Sequence, residues 1–217
     1  RPGMYIGSIK PHTSTKWIIT DDNKVTQREI TYNPGFLKIF DEIITNSVDE
    51  SKRKGSKLNT IKVTVGKENG TISIWDNGGI PVIEQDGEWI PEMIFSNLKA
   101  GSNFDDTESR TGAGTNGVGS TLTNIYSQEF KISTCDGKNL FTQTFTNNMR
   151  ERGEPKVKRN KVNHTEISYL PDYEKFGLEG LDDSHFRLIH KRVIDVAGCN
   201  PSIKVFFNDE EIKIKSF

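Results

Sequence analysis

The segment from residue 34 to residue 54 constrains the fold more than any other part of the chain. Phe36, Phe40, Ile43, Ile44 and Val48 recur at helical spacing and form one apolar stripe. Asn33 is placed to cap the first turn, Pro34 suits the first helical position, and Gly55 reads as the stop. The other side is polar: Glu42, Asn46 and Asp49 stand at i, i+4 and i+7 and share one narrow face roughly opposite the stripe. An amphipathic helix ordinarily turns such a face to water. It gains chemical meaning only if another segment supplies a site for it to look at.

Around this helix the pattern is one of paired strands. Residues 60–65 and 71–75 read as strands joined through Asn69-Gly70, a favoured hairpin turn. Residues 129–135 and 140–146 alternate as strands about Asp136-Gly137, and 165–170 reads as another. Residues 203–207 and 211–214 read as a last hairpin. Short helices are expected near 91–98 and over 118–126, and a longer one over 183–197. Residues 1–35 show little periodicity and several turn formers, and read as an arm lying over something else. Residues 150–161 read as a basic loop, in which Arg150, Arg152, Lys156, Lys158, Arg159 and Lys161 outweigh Glu151 and Glu154. Strand pairs mixed with a few helices, without regular βα alternation, indicate an α+β fold with a mixed sheet.

Composition narrows the function classes. With 29 Lys plus Arg against 30 Asp plus Glu, the net charge of −1 argues against nucleic-acid binding through bulk basicity. No apolar run approaches the ~20 residues of a membrane span, and no signal-peptide pattern opens the chain. Cys135 and Cys199 have no metal-type spacing, which indicates a reducing, intracellular setting. Phe141, Phe145, Phe206 and Phe207 fall on strands and are assigned to the core. Because the chain opens at Arg1 without an initiator Met, a longer parent protein is expected.

Two further segments give the polar helix face something to meet. Ile74-Trp75-Asp76-Asn77-Gly78-Gly79-Ile80-Pro81 sets a carboxylate and then glycines at the end of an apolar strand. A carboxylate there can accept from an exocyclic amine, and the glycines let a planar ring approach the backbone; the alternative is an ordinary turn. Thr111-Gly112-Ala113-Gly114-Thr115-Asn116-Gly117-Val118-Gly119-Ser120 precedes a helix, and glycines before a helix N-terminus present free N–H groups to phosphates. That segment is not a P-loop, and taken alone it also fits a surface loop.

In this order, a Glu…Asn…Asp helix, a strand ending in Asp-x-Gly and a Gly-rich segment before a helix, the three resemble the GHKL (Bergerat) ATP-binding sandwich, a mixed sheet covered by helices on one face. Further segments resemble the ATPase domain of type IIA DNA topoisomerases, in wording closer to the eukaryotic, viral and phage enzymes than to bacterial gyrase. They are Arg1-Pro2-Gly3-Met4-Tyr5-Ile6-Gly7-Ser8, Asn33-Pro34-Gly35-Phe36, Ala100-Gly101-Ser102-Asn103-Phe104-Asp105-Asp106 and Thr165-Glu166-Ile167-Ser168-Tyr169-Leu170. The resemblance implies a strap over residues 1–33 and the ATPase domain over 34–217.

It also implies roles. Glu42 is the general base toward the water that attacks the γ-phosphate. Asn46 is the Mg²⁺ ligand. Asp49 either meets the nucleotide or holds the loops around it. Asp76 accepts from the adenine amino group, with Thr165 in support through a hydroxyl or a water, and Asn77 replaces it if the register slips by one. Gly78 belongs to that turn. Ser102 and Asn103 reach the ribose and phosphates, and Gly114, Thr115, Asn116, Gly117, Val118, Gly119, Ser120 and Thr121 form the lid.

Two departures from the family pattern stand out: Gly78 and Gly79 are adjacent where a residue usually separates the glycines, and the lid is one residue longer. The implied ligands are ATP and Mg²⁺. The implied partners are a second copy of the chain, duplex DNA in the full enzyme and a cleavage domain or subunit; no membrane is implied. The setting would be a nucleus, or a host cytoplasm if phage-encoded. The transducer domain, which sends a lysine to the γ-phosphate, is expected beyond residue 217, so weak hydrolysis is expected of this chain alone.

The rival readings are another GHKL ATPase (MutL- or Hsp90-like) and a DNA-binding module without catalysis. The second would use the basic loop together with Arg187, Lys191 and Arg192.

Overall fold

A computed structural model describes residues 3–98 and 118–214 of the 217. In chain order the elements are α1 (Gly3–Ile6), β1 (His12–Ile19), β2 (Val25–Tyr32), α2 (Pro34–Lys52), β3 (Thr60–Val65), β4 (Ile72–Asp76), β5 (Glu84–Gln85), β6 (Glu88–Trp89) and α3 (Ile90–Ser96). There follow α4 (Gly119–Ile125), β7 (Ser127–Cys135), β8 (Asn139–Thr146), β9 (Glu151–Arg152), β10 (Lys156–Arg159), β11 (His164–Pro171), a 3₁₀ turn (Tyr173–Phe176), α5 (Asp183–Cys199), β12 (Lys204–Phe207) and β13 (Glu210–Glu211).

The main sheet runs β10-β8-β7-β11-β4-β3-β12-β13, with β9 also on β8. Among the described residues its pairs are antiparallel except β12 on β3, so the sheet is mixed and the class is α+β. Strand alternation fixes which face is covered: Ile61, Val63 and Val65 on β3 are buried while Lys62 and Thr64 between them are exposed. Onto the apolar face pack Phe36, Ile39, Phe40, Ile43, Ile44 and Val48 of α2, with Ile189 and Val193 of α5. The expected core phenylalanines Phe141, Phe145 and Phe207 are buried, and Phe206 is half-buried on the opposite face. No helix among the described residues is long and apolar enough to cross a membrane.

Several sequence expectations need correction. The arm is not irregular: β1 and β2 form an eight-residue antiparallel hairpin about Asp21-Asp22-Asn23, with Asn23 at φ 59°. Only Ile18, Ile19 and Tyr32 are buried along it, so apolar periodicity could not reveal it. Its β-branched and aromatic content on both sides of a turn is the signal that could have. Ile18 and Tyr32 pack on Leu188 of this chain's own α5. The basic loop contains the edge strands β9 and β10. Arg187, Lys191 and Arg192 do not join it in a free basic surface, because they pair with Asp183 and Asp21, with Asp195, and with Asp41. The last hairpin shrinks to two paired residues a side. Helix α2 ends at Lys52, two residues earlier than the glycine suggested, with Arg53 as its C-cap.

Asn33 is the fixed point of this arrangement. Its Oδ1 accepts from the Phe36 N–H (3.1 Å) and caps α2, while its own backbone N–H donates to Nε2 of the buried His185 on α5 (2.8 Å). Asp182 Oδ1 accepts from the His185 Nδ1–H (2.6 Å), which leaves Nε2 without a proton and free to accept. The Asn33 Nδ2 donates to the Phe176 carbonyl (3.0 Å) and to the carbonyl of Ile9. Replacing Asn33 by alanine removes the cap and takes a donor from the buried Phe176 carbonyl and from the Ile9 carbonyl. The expected loss is about 2–3 kcal/mol in urea unfolding, and a loss below about 1 kcal/mol would show that the cap is dispensable.

Candidate functional site

The polar face of α2 lies under the N-terminus of α4. Glu42 is half-buried and ion-paired with Lys38 one turn earlier. A Cβ on Gly119 would overlap the Glu42 side chain, so any other residue there would displace that carboxylate from the start of α4. One turn along α2, Asn46 Nδ2 donates to Ser120 Oγ on α4 (2.6 Å), and Asp49 follows, half-buried. Glu42, Asn46, Gly119 and Ser120, from two segments far apart in sequence, are thereby brought together.

At the other end of this face stands Asp76, the last residue of β4, only 5% exposed. Ser47 on α2 donates to its Oδ2 (2.6 Å) and the Gly78 N–H to its Oδ1 (2.9 Å). Burial nevertheless outweighs both bonds and pushes its carboxyl up to about 6. Asp76 lies between Ile61 of β3 and Thr165 of β11 in the sheet register. Thr165 Oγ1 bonds the hydroxyl of Thr134 (2.8 Å) and the Gly78 carbonyl (3.3 Å), so it supports the turn rather than the carboxylate. Gly79 is required by close approach, since a Cβ there would overlap the Cys135 carbonyl.

Not every expected residue faces this region. Asn77 Oδ1 accepts from the Asn59 and Thr60 N–H groups (2.9 and 3.0 Å) and its Nδ2 donates to Asn59. Its carboxamide thus ties the turn to the start of β3, and Asp76 is the residue directed at α2. Thr121 is fully buried and donates to the Asn97 carbonyl (3.1 Å), which makes it a packing residue between α4 and the end of α3. Val118 is the N-cap residue of α4 without a side-chain cap bond. Ser102, Asn103, Gly114, Thr115, Asn116 and Gly117 lie outside the described residues.

Two participants escaped the sequence reading. Ser47 interrupts the apolar stripe of α2, and a small hydroxyl in a buried stripe is the signal that pointed to a buried partner. Lys38 stands at i−4 from Glu42, where an ion pair is expected.

No group of three or more His, Cys, Asp or Glu placed to hold a metal exists among the described residues. A single neutral oxygen from Asn46 remains. Its Nδ2 is committed to Ser120, which leaves Oδ1 as the donor, and this fits Mg²⁺, which takes few protein ligands and keeps water and phosphate oxygens.

Comparison with known proteins agrees with this geometry. The model of the histidine kinase-, DNA gyrase B- and HSP90-like ATPase family matches residues 32–153. Over its whole length the chain is 44% identical to DNA topoisomerase 2 of Arabidopsis thaliana and 44% identical to DNA topoisomerase 2 of Acanthamoeba polyphaga mimivirus. It spans only 15% and 18% of the length of those two relatives. The ATPase region of Saccharomyces cerevisiae topoisomerase II superimposes with a TM-score of 0.93 at 33% identity, covering 99% of this chain and 58% of that one.

The raised carboxyl of Asp76 makes a stability prediction. A group near 3.8 when unfolded and about 6 when folded holds its proton more firmly in the fold, so its contribution is complete below about pH 4 and is lost as pH rises through 6. Relative to Asp76→Asn, the unfolding free energy of the wild type should therefore fall between pH 4 and 7, by up to about 3 kcal/mol. A pH-independent difference in chemical denaturation would refute the assignment.

Proposed function

Since the chain belongs to the family of histidine kinase-, DNA gyrase B- and HSP90-like ATPases, we propose that it binds ATP between α2, the β4 turn and α4, and that it serves as the ATP-operated gate of a type II DNA topoisomerase. The observation that carries this reading is that one helix holds both ends of the site. Ser47 fixes the buried Asp76 carboxylate, while Glu42, five residues earlier, faces the start of α4.

Adenine recognition falls to Asp76. Its carboxylate accepts from the exocyclic amine, and its two protein donors set its orientation. At the other end Glu42 takes the proton of the attacking water as the new oxygen–phosphorus bond forms; the bond from the γ-phosphorus to the bridging oxygen breaks and ADP leaves. Lys38, ion-paired one turn earlier, fixes the direction of the Glu42 carboxylate along the helix. Asn46 would hold Mg²⁺ through its Oδ1, and the ion when bound would neutralise phosphate charge.

In the longer enzyme, ATP binding would favour pairing with a second copy and would close the gate on a DNA duplex, with cleavage carried out by another domain or subunit. The names of the relatives support that extension. The reading as a DNA-binding module without catalysis is disfavoured, because the α5 cations that it needed are engaged in ion pairs.

Calorimetric titration with a non-hydrolysable ATP analogue and Mg²⁺ tests the site. Wild type and Glu42→Ala should bind, whereas Asp76→Ala should lose most binding. Affinity for the wild type should drop as pH falls through about 6, where Asp76 gains its proton. An absence of binding heat in the wild type would sink the ATPase reading for this chain. Lys38→Met should bind the analogue normally and slow single-turnover hydrolysis by about tenfold; an unchanged rate would show that Glu42 needs no holding partner.

A further inference from the structure

The main sheet ends at β10. This strand pairs with β8 on one side and with no described residue on the other, and all four of its residues are exposed. In an antiparallel ladder, residues alternate between turning their backbone groups to the partner and turning them away. The Asn160 N–H donates to the Lys138 carbonyl (3.0 Å), in the register that pairs β10 with β8. Lys158 and Lys156, two and four residues back, therefore also turn theirs to β8. Val157 and Arg159 direct their N–H and C=O groups outward, and no other described segment bonds to them. Such a row is a template for a further strand.

The side chains state what that strand must carry. Lys156 and Lys158 lie on one face of the sheet, opposite Thr142 and Leu140; Val157 and Arg159 lie on the other, opposite Phe141 and Asn139. Arg152 is ion-paired with Glu92 of α3, but Lys156, Lys158, Arg159 and Lys161 have no ion-pair partner among the described residues. Of the nearby acids, Glu151 accepts from the Thr146 hydroxyl (3.0 Å) and Glu154 precedes the strand. A second copy of this edge would set cation against cation and is repelled. A strand of opposite charge is attracted.

We propose that β10 docks an acidic, extended segment of a partner protein, which joins the sheet as an additional antiparallel strand. Opposite Val157 and Arg159 the partner exchanges backbone hydrogen bonds. Opposite Lys156, Lys158 and Arg159 it carries carboxylates, and opposite Val157, which is 39% exposed, an apolar side chain. Strands β8, β7 and β11 stand between this edge and β4, so docking leaves the Asp76 turn undisturbed.

The probe is a fluorescein-labelled peptide, Thr-Glu-Glu-Val-Glu-Thr, whose four central residues fall opposite Arg159, Lys158, Val157 and Lys156. Its anisotropy should rise with the wild-type chain in low salt. Methylating its Val nitrogen, which must donate to the chain, should weaken binding about tenfold. Methylating the nitrogen of its second Glu, which points away, should leave binding nearly unchanged. Lys158→Glu should weaken the parent peptide about tenfold. Val157→Pro removes an outward N–H and keeps the bonds to β8, and it should weaken the peptide as much, with thermal unfolding followed in parallel.

Equal effects of the two methylations on the wild type would mean charge attraction without strand pairing and would overturn the proposal, whatever the variants do. So would wild-type affinity in a folded Lys158→Glu or Val157→Pro chain. A DNA duplex that displaces the peptide and binds Val157→Pro as it binds the wild type would assign the surface to nucleic acid and likewise overturn it.

Discussion

Everything at the centre of this fold hangs on one buried carboxamide. Asn33 closes the first turn of α2, holds the carbonyls of Ile9 and Phe176, and offers its own backbone N–H to His185. Segments around residues 9, 33 and 176–185 thus agree on the position and tilt of a single helix. That helix carries Glu42, Asn46 and Ser47, so an error at its start would be carried along its length to each of them. The buried ring of His185 is itself set by Asp182, which fixes the tautomer that can accept the Asn33 proton. Precision at the site is therefore bought well outside it, by a polar cluster that touches none of the proposed ligand contacts.

The site divides into a rigid half and a half built by close approach. Asp76 is rigid: it ends a central strand, is flanked by β3 and β11, and receives two hydrogen bonds. Burial raises its carboxyl despite those bonds, a tension that a further donor from a ligand would relieve. Glu42 is different. Its surroundings depend on the absence of a side chain at Gly119 and on a flexible lysine one turn away.

Helix α2 was legible in the sequence because its stripe, its N-cap and its polar face all obey one period. The main strands were legible for the same reason, with period two. The place of Asp76, at the end of a strand and before glycines, was legible because an apolar run stops there. The hairpin at 12–32 escaped because it buries only three large apolar side chains, so hydrophobic alternation has little to report. Ser47 and Thr134 act through contacts with residues 29 and 31 positions away, and no local pattern encodes such pairs. The contact of Thr121 with the Asn97 carbonyl is likewise tertiary, and the glycine-rich run before it carries no sign of it. Asn77 shows the same limit, since only the pairing of β3 with β4 reveals that its carboxamide is taken by Asn59 and Thr60.

The lone parallel pair in the sheet has a consequence for synthesis. Strand β3 has one neighbour, β4, close by in sequence; its other neighbour, β12, lies some 140 residues downstream, and the Asn33–His185 bond spans 152 positions. Loop closure over such distances is costly until the contacts it brings are made. A chain emerging from the ribosome can pair β3 with β4 early, yet it cannot complete the His185 contact at the start of α2 or the far side of the sheet until residues 182–207 have appeared. The nucleotide site would then arise in a single late step, and a nascent chain would not display a half-made ATP pocket to the cell.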